Sequence, residues 1–277
     1  MRIAISNIAW DVIDDDAVAI LLKKYAIDAI DIAPGKYFPD PKNASTVDIM
    51  RVRDWWNVRG IEITGMQALL FGTTGLNLFG STESQSAMLE HLTAVCRIGV
   101  GLGAKKLVFG SPKNRDRSAL NDSEAQAMAL VFFTQLGDIA NQNGVTVCLE
   151  PNPPCYGANF MNNSVDTACI VRAIAHPAIR MQLDTGAIYI NKEDVHQVVK
   201  DCADLIGHVH ASEPDLITLG DGGVNHAIVA ENLLTYLPTQ VVTIEMLPAK
   251  NEPNLTALER ALNVAIQHFR IKPKTTL

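Results

Sequence analysis

Glu150, Asp184, His208, His210, Glu213 and Glu245 stand out because they sit in or directly after short apolar, β-prone runs: VTVCLEP, IRMQLDT, IGHVHASE and VVTIEML. A single carboxylate at the end of a buried strand has ordinary explanations, such as a surface lysine partner. Such residues at equivalent positions of four consecutive strand candidates are harder to dismiss. Charge is costly in a strand covered on both faces unless it is paired or binds metal. If the strand ends converge, three carboxylates repel one another until a cation sits among them. Three oxygen donors and one imidazole suit one divalent metal ion, Mn2+ first, with Mg2+, Co2+ or Zn2+ as alternatives.

Those strand ends need a scaffold that brings them together. Apolar runs of strand character recur at residues 2–6, 27–33, 61–67, 105–111, 145–151, 179–185, 206–212 and 241–247. Between them lie stretches with apolar residues at three- and four-residue spacing, the helical signature. These predict helices at 14–26, 45–60, 84–104, 123–142, 164–176, 193–203, 226–237 and 253–269. Asp122-Ser123-Glu124 reads as a helix start, and Asn143-Gly144 as its stop. Strict alternation of strand and helix predicts parallel βαβ units. Eight such units in 277 residues fit an α/β fold of one kind, a single (β/α)8 TIM barrel spanning 1–277 as one domain. The longer inserts follow strands 2 to 5, which in a barrel places them at the C-terminal mouth, where active sites are built.

Several residues in those inserts are candidate substrate contacts. SPKNRDR gathers Lys113, Arg115 and Arg117, a clamp for a phosphate or carboxylate if it faces the mouth and a solvated loop if it does not. Trp10, Tyr37, Phe71 and Tyr156 are candidates for the wall of a sugar-sized pocket, the alternative being plain packing. Gln67 ends strand 3 with an amide suited to a hydroxyl. His208 shares a face with His210 by the two-residue period and is expected one layer below it. Glu213 closes the strand-7 segment and joins the candidate contacts. In LGDGGVNH, the simpler reading is a tight turn with Asn225 capping the next helix.

Composition narrows the partners. Lys and Arg number 23 against 30 Asp and Glu, a net charge of -7, which disfavours duplex nucleic acid or an anionic membrane as the main partner. Five cysteines, odd in number and without a C-x-x-C pair, read as reduced thiols of a cytoplasmic protein. The N-terminal apolar run is short and meets Asp11 and then Asp14, Asp15 and Asp16, unlike a signal peptide. No apolar stretch approaches the ~18 residues a membrane helix needs. The expected partner is a small molecule, and a homo-oligomer is compatible with the sequence.

SNIAW on strand 1, the E/D/H/E set on strands 5 to 8 and H-V-H-A-S-E on strand 7 resemble the xylose isomerase-like sugar phosphate isomerase/epimerase superfamily, which includes ketose 3-epimerases and inosose isomerases. The resemblance runs the length of the barrel. It implies that Glu150, Asp184, His210 and Glu245 are metal ligands, and that Glu150 and Glu245 also act as acid and base. It further implies an isomerase or epimerase of a small sugar or sugar-phosphate-like ketone or aldehyde, working through an enediolate. A dehydratase or lyase of the same superfamily, or an apurinic-endonuclease-like hydrolase, is the alternative. Two positions depart from the ketose-epimerase pattern: Ala187 stands where those enzymes carry a His, and SEPDLI lacks their Arg.

Overall fold

Residues such as Ile3, Ile5, Ile30, Ile32, Val147, Leu149, Val209 and Ile244 are all but excluded from solvent. That is the burial expected of parallel strands covered on both faces. The computed structural model describes residues 1–270; the last seven residues of the expected 1–277 domain lie outside the described ones. Among the described residues, eight parallel strands close into one barrel in chain order: β1 (Arg2–Ser6), β2 (Ala29–Ile32), β3 (Glu62–Met66), β4 (Lys106–Phe109), β5 (Thr146–Leu149), β6 (Ile179–Asp184), β7 (Ile206–Ser212) and β8 (Val241–Glu245). Closure is made by β1 against β8, with Arg2 opposite Val241 and Ile5 opposite Ile244. The expected (β/α)8 barrel is therefore the fold.

Eight of the helices lie where the spacing predicts them: α1 (Asp15–Lys24), α2 (Thr46–Asn57), α3 (Thr82–Leu102), α4 (Asp122–Gln142), α5 (Ser164–Ile174), α7 (Val195–Cys202), α8 (His226–Tyr236) and α9 (Asn254–Phe269). Their starts are set by local chemistry. Asn121 and Glu124 form a reciprocal capping box at α4, and Asn225 caps α8 by accepting from the Ile228 N–H at 3.2 Å. A short helix not predicted from sequence, α6 (Thr185–Ile190), follows β6 directly. Its six residues include a glycine and are too few for a periodic pattern. What starts it is Asp184, whose Oδ1 accepts from the Ala187 N–H at 2.6 Å.

The register of the barrel is regular except in two places. It shifts between Ile30 and Asp31 against β3, and between Met181 and Gln182 against β7. Irregularities of this kind re-aim side chains. Here they occur next to Asp31 and Gln182, two fully buried polar residues beneath the mouth. No helix among the described residues is long and apolar enough to cross a membrane.

Candidate metal centre

Glu150 follows β5, Asp184 ends β6, His210 lies within β7 and Glu245 ends β8. Each offers a ligand atom, and these atoms all lie within 4.8 Å of one another. His210 is central: its Nδ1 is 3.4 Å from Glu150 Oε1 and 3.2 Å from Glu245 Oε2. All four side chains are buried. Glu150, Asp184 and Glu245 line the floor of a cavity of about 1100 Å³ at the C-terminal mouth of the barrel, and the fully buried His210 does not line it.

The electrostatics of the cluster are unbalanced. Burial, then repulsion from Glu245 and Glu150, pushes the Asp184 carboxyl up to about 8. Burial works to lower His210, but Glu245 and Glu150 outweigh it and raise the imidazole well above its ordinary value. Burial likewise works to raise Glu245, and His210 overrides it and holds that carboxyl low. Glu150 Oε1 and His210 Nε2 are buried without a hydrogen-bond partner. A carboxylate oxygen left bare among further carboxylates, with the His210 Nδ1 within 3.4 Å, is a donor set that suits a cation. The residues present thus fit a divalent ion.

A shell of neighbours holds the four candidate ligands in place. Ser212 donates through Oγ to Asp184 Oδ2 at 2.7 Å. Gln67, from the end of β3, donates to Glu245 Oε1, and Asn152 donates to Glu150 Oε2 at 3.2 Å. Space is made by glycine: a Cβ on Gly110 would stand 2.0 Å from Glu150 Oε2. Below His210 a second buried layer runs across the barrel. The Gln182 carboxamide is 3.0 Å from His208 Nδ1 and 3.1 Å from His210 Nδ1. His208 Nε2 is in turn 2.8 Å from Asp31 Oδ2, and Thr64 and Thr243 each donate to the same carboxylate. Burial favours the neutral acid at Asp31, but the imidazoles above it win and its carboxyl is held low.

Sequence reasoning and structure agree unevenly on the remaining candidates. Gln67, Phe71, Tyr156 and Glu213 line the cavity. Glu213 spends its carboxylate on the loop after β7, accepting from the Gly220 and Val224 N–H groups and contacting His226 Nε2. His208 sits one layer down, as expected, and does not line the cavity. Trp10 does not reach it either: its Nε1 donates to Asp15 at 2.7 Å, and its ring packs edge-on against Trp56. The anion clamp is not formed. The 3-10 turn Pro112–Arg115 rotates Arg115 into the protein, where its guanidinium donates to the Glu150 carbonyl at 2.8 Å and to Asn152. Lys113 is exposed and outside the cavity lining.

Asp31, Asn152, Gln182 and Ser212 were not singled out from sequence. Asp31 carried a usable signal, since an aspartate inside AIDI breaks an apolar strand as Glu150 and Glu245 do.

The profile of the xylose isomerase-like TIM barrel family matches residues 20–265. No curated protein sequence matches the chain significantly. Among solved structures, 3-keto-D-glucoside 4-epimerase from E. coli superposes with a TM-score of 0.79 at 18% identity, covering 96% of this chain and 99% of that one. D-psicose 3-epimerase from Clostridium cellulolyticum H10, solved with D-tagatose, gives 0.80 at 16%, covering 98% of each chain. An L-ribulose 3-epimerase gives 0.80 at 17%, covering 98% of this chain and 99% of that one. At such identities the likeness establishes the fold.

Proposed function

The chain belongs to the xylose isomerase-like TIM barrel family, and from that premise we propose that it is an isomerase or epimerase of a small polyhydroxy ketone or aldehyde, dependent on one divalent metal ion. The observation that carries this reading is the pair of glutamates flanking His210 on the cavity floor. Moving a carbonyl, or inverting the carbon beside one, requires taking a proton from a weak C–H acid and returning one. Two opposed carboxylates serve such a two-way transfer, whereas a site for binding alone has no use for them. The structural neighbours solved as sugar epimerases support the same chemistry.

A divalent ion on this floor, Mn2+ in the first instance, would polarise the substrate carbonyl and offset the negative charge that develops on its oxygen. Glu150, Asp184, His210 and Glu245 would hold it. The chain supplies the proton transfers. Glu150 has Asn152 on Oε2 and keeps Oε1 without a hydrogen-bond partner, so its two oxygens are differently engaged. Glu245 is oriented by Gln67 on one oxygen and by His210 on the other. One glutamate takes the proton and the other returns it. Five unpaired cysteines, two of them exposed, support a reducing compartment, and we place the enzyme in the cytoplasm.

Solvent exchange tests the reading. In deuterated water the product is expected to carry deuterium at the reacting carbon. Glu150→Gln and Glu245→Gln should each lower kcat by about two to four orders of magnitude, the usual weight of a general acid or base, with circular dichroism unchanged. Full activity in either variant would remove the two-carboxylate assignment, and a product one water lighter would reassign the chemistry to a dehydratase.

A further inference from the structure

The cavity is larger, and its lining more apolar, than a bare sugar needs. At about 1100 Å³ it exceeds the roughly 300–1,000 Å³ of pockets that enclose drug-sized ligands. Gln67 joins the carboxylates of Glu150, Asp184 and Glu245 on the floor, and Lys36, Asp40, Lys42, Thr73, His91 and Asp215 also take part in the lining. Most of the remaining wall is nonetheless apolar. Phe38 and Leu69 are buried in it, and Phe71, Tyr156 and Leu247 reach the rim, Phe71 with 87% of its surface exposed. Sugar hydroxyls gain nothing from such a surface, because leaving water without a new hydrogen-bond partner costs free energy. Apolar groups left exposed around a concave site mark where an apolar ligand group is covered.

Charge narrows the ligand further. The lining includes the acidic residues Asp40, Glu150, Asp184, Asp215 and Glu245 against Lys36 and Lys42, while the Glu213 carboxylate is taken up by the loop after β7. Both of those cations are engaged: Lys36 donates to the Trp10 carbonyl, and Lys42 pairs with Glu90 at 2.8 Å. Even with a divalent ion on the floor, a phosphoryl group would enter a field of its own sign.

We propose that the mouth is a second subsite for an uncharged apolar substituent, so that the substrate is a glycoside with an aryl or alkyl group rather than a free sugar or a phosphate ester. The proposal rests on the isomerase/epimerase reading for the chemistry at the floor and adds what the upper cavity recognises. A substituent at the anomeric oxygen locks that carbon as an acetal. The reacting carbonyl then lies on another carbon of the ring.

Binding to the Mn2+-loaded protein, measured by titration calorimetry, tests the subsite independently of turnover. Phenyl β-D-glucoside is expected to bind at least about tenfold more tightly than methyl β-D-glucoside, the return from burying several apolar carbons, with glucose 6-phosphate weakest. Phe71→Ser and Leu247→Ser, both at exposed positions, should each bring the phenyl compound toward the methyl one. Undetectable phenyl binding, equal affinities, tightest binding of the phosphate, or a phenyl preference untouched by both substitutions would overturn the subsite. Deuterium uptake into keto sugars separates the two readings. A phenyl preference without any exchange leaves the subsite standing and removes the epimerase, and exchange without the preference does the reverse.

Discussion

Asp184 answers to two neighbours and a crowd. One oxygen caps α6, the other accepts from Ser212, and the whole group is buried beside two further carboxylates. With its carboxyl pushed up to about 8 and the His210 imidazole raised well above its ordinary value by the neighbouring glutamates, both shifts favour the protonated form when no cation is present. A divalent ion must displace both protons. Metal binding is therefore expected to release about two protons at pH 7 and to strengthen steeply as pH rises, since ligands bind deprotonated. Calorimetry in buffers of different ionisation enthalpy counts those protons, and a count of zero would show that the cluster is already fully deprotonated. At this scale much was legible. Glu150, Asp184, His210 and Glu245 announce themselves by breaking apolar strands, a signal that needs no knowledge of contacts. Arg115 shows the limit: its charge is visible in the sequence, but the 3-10 turn that faces it inward is not.

At the scale of elements, β2 and β6 carry the layer that steadies His210, through Asp31 and Gln182 on either side of His208. Polar groups packed behind a candidate ligating imidazole fix its ring and tune its basicity. Asp31→Asn keeps the shape and removes the charge, and it is expected to weaken Mn2+ binding by about 10–100-fold, the usual cost of losing such support. Asp31→Glu should not restore it, because a Cβ on neighbouring Gly65 would already stand 2.7 Å from the native carboxylate. Unchanged Mn2+ affinity in Asp31→Asn, read by equilibrium dialysis, would reduce this layer to packing. After β4, Gly110→Ala would force Glu150 aside and is expected to lower kcat/KM by about 100-fold, as ~1 Å misplacements do. The helical spans were legible because eight long elements repeat their apolar positions. The pairing of Gln67 with Glu245, 178 residues apart, was not. Such contacts come from barrel closure, which no local pattern encodes.

For the molecule as a whole, the same titrations act on stability. A group whose folded pKa lies above its unfolded value contributes stability that is full below the unfolded value and is lost as pH rises through the folded one. Asp184 and His210 both shift in that direction. The metal-free protein is thus expected to lose melting temperature from pH 5 toward pH 9. Saturating Mn2+ should oppose the loss, because at 100 times its dissociation constant a ligand adds about 2.7 kcal/mol, or roughly 5–10 °C for a chain of this size. A melting temperature that ignores chelator at pH 8 would count against the centre. One feature of the topology has a temporal side. The four candidate ligand residues come in chain order from the last four strands, and β8, which ends in Glu245, closes the barrel against β1. During synthesis on the ribosome, the cation seat therefore stays incomplete until β8 has left the exit tunnel. A fragment stopped before residue 241 carries three of the four donors around an unclosed sheet and should fail to retain the ion. Retention of Mn2+ would then report a chain translated through its final strand.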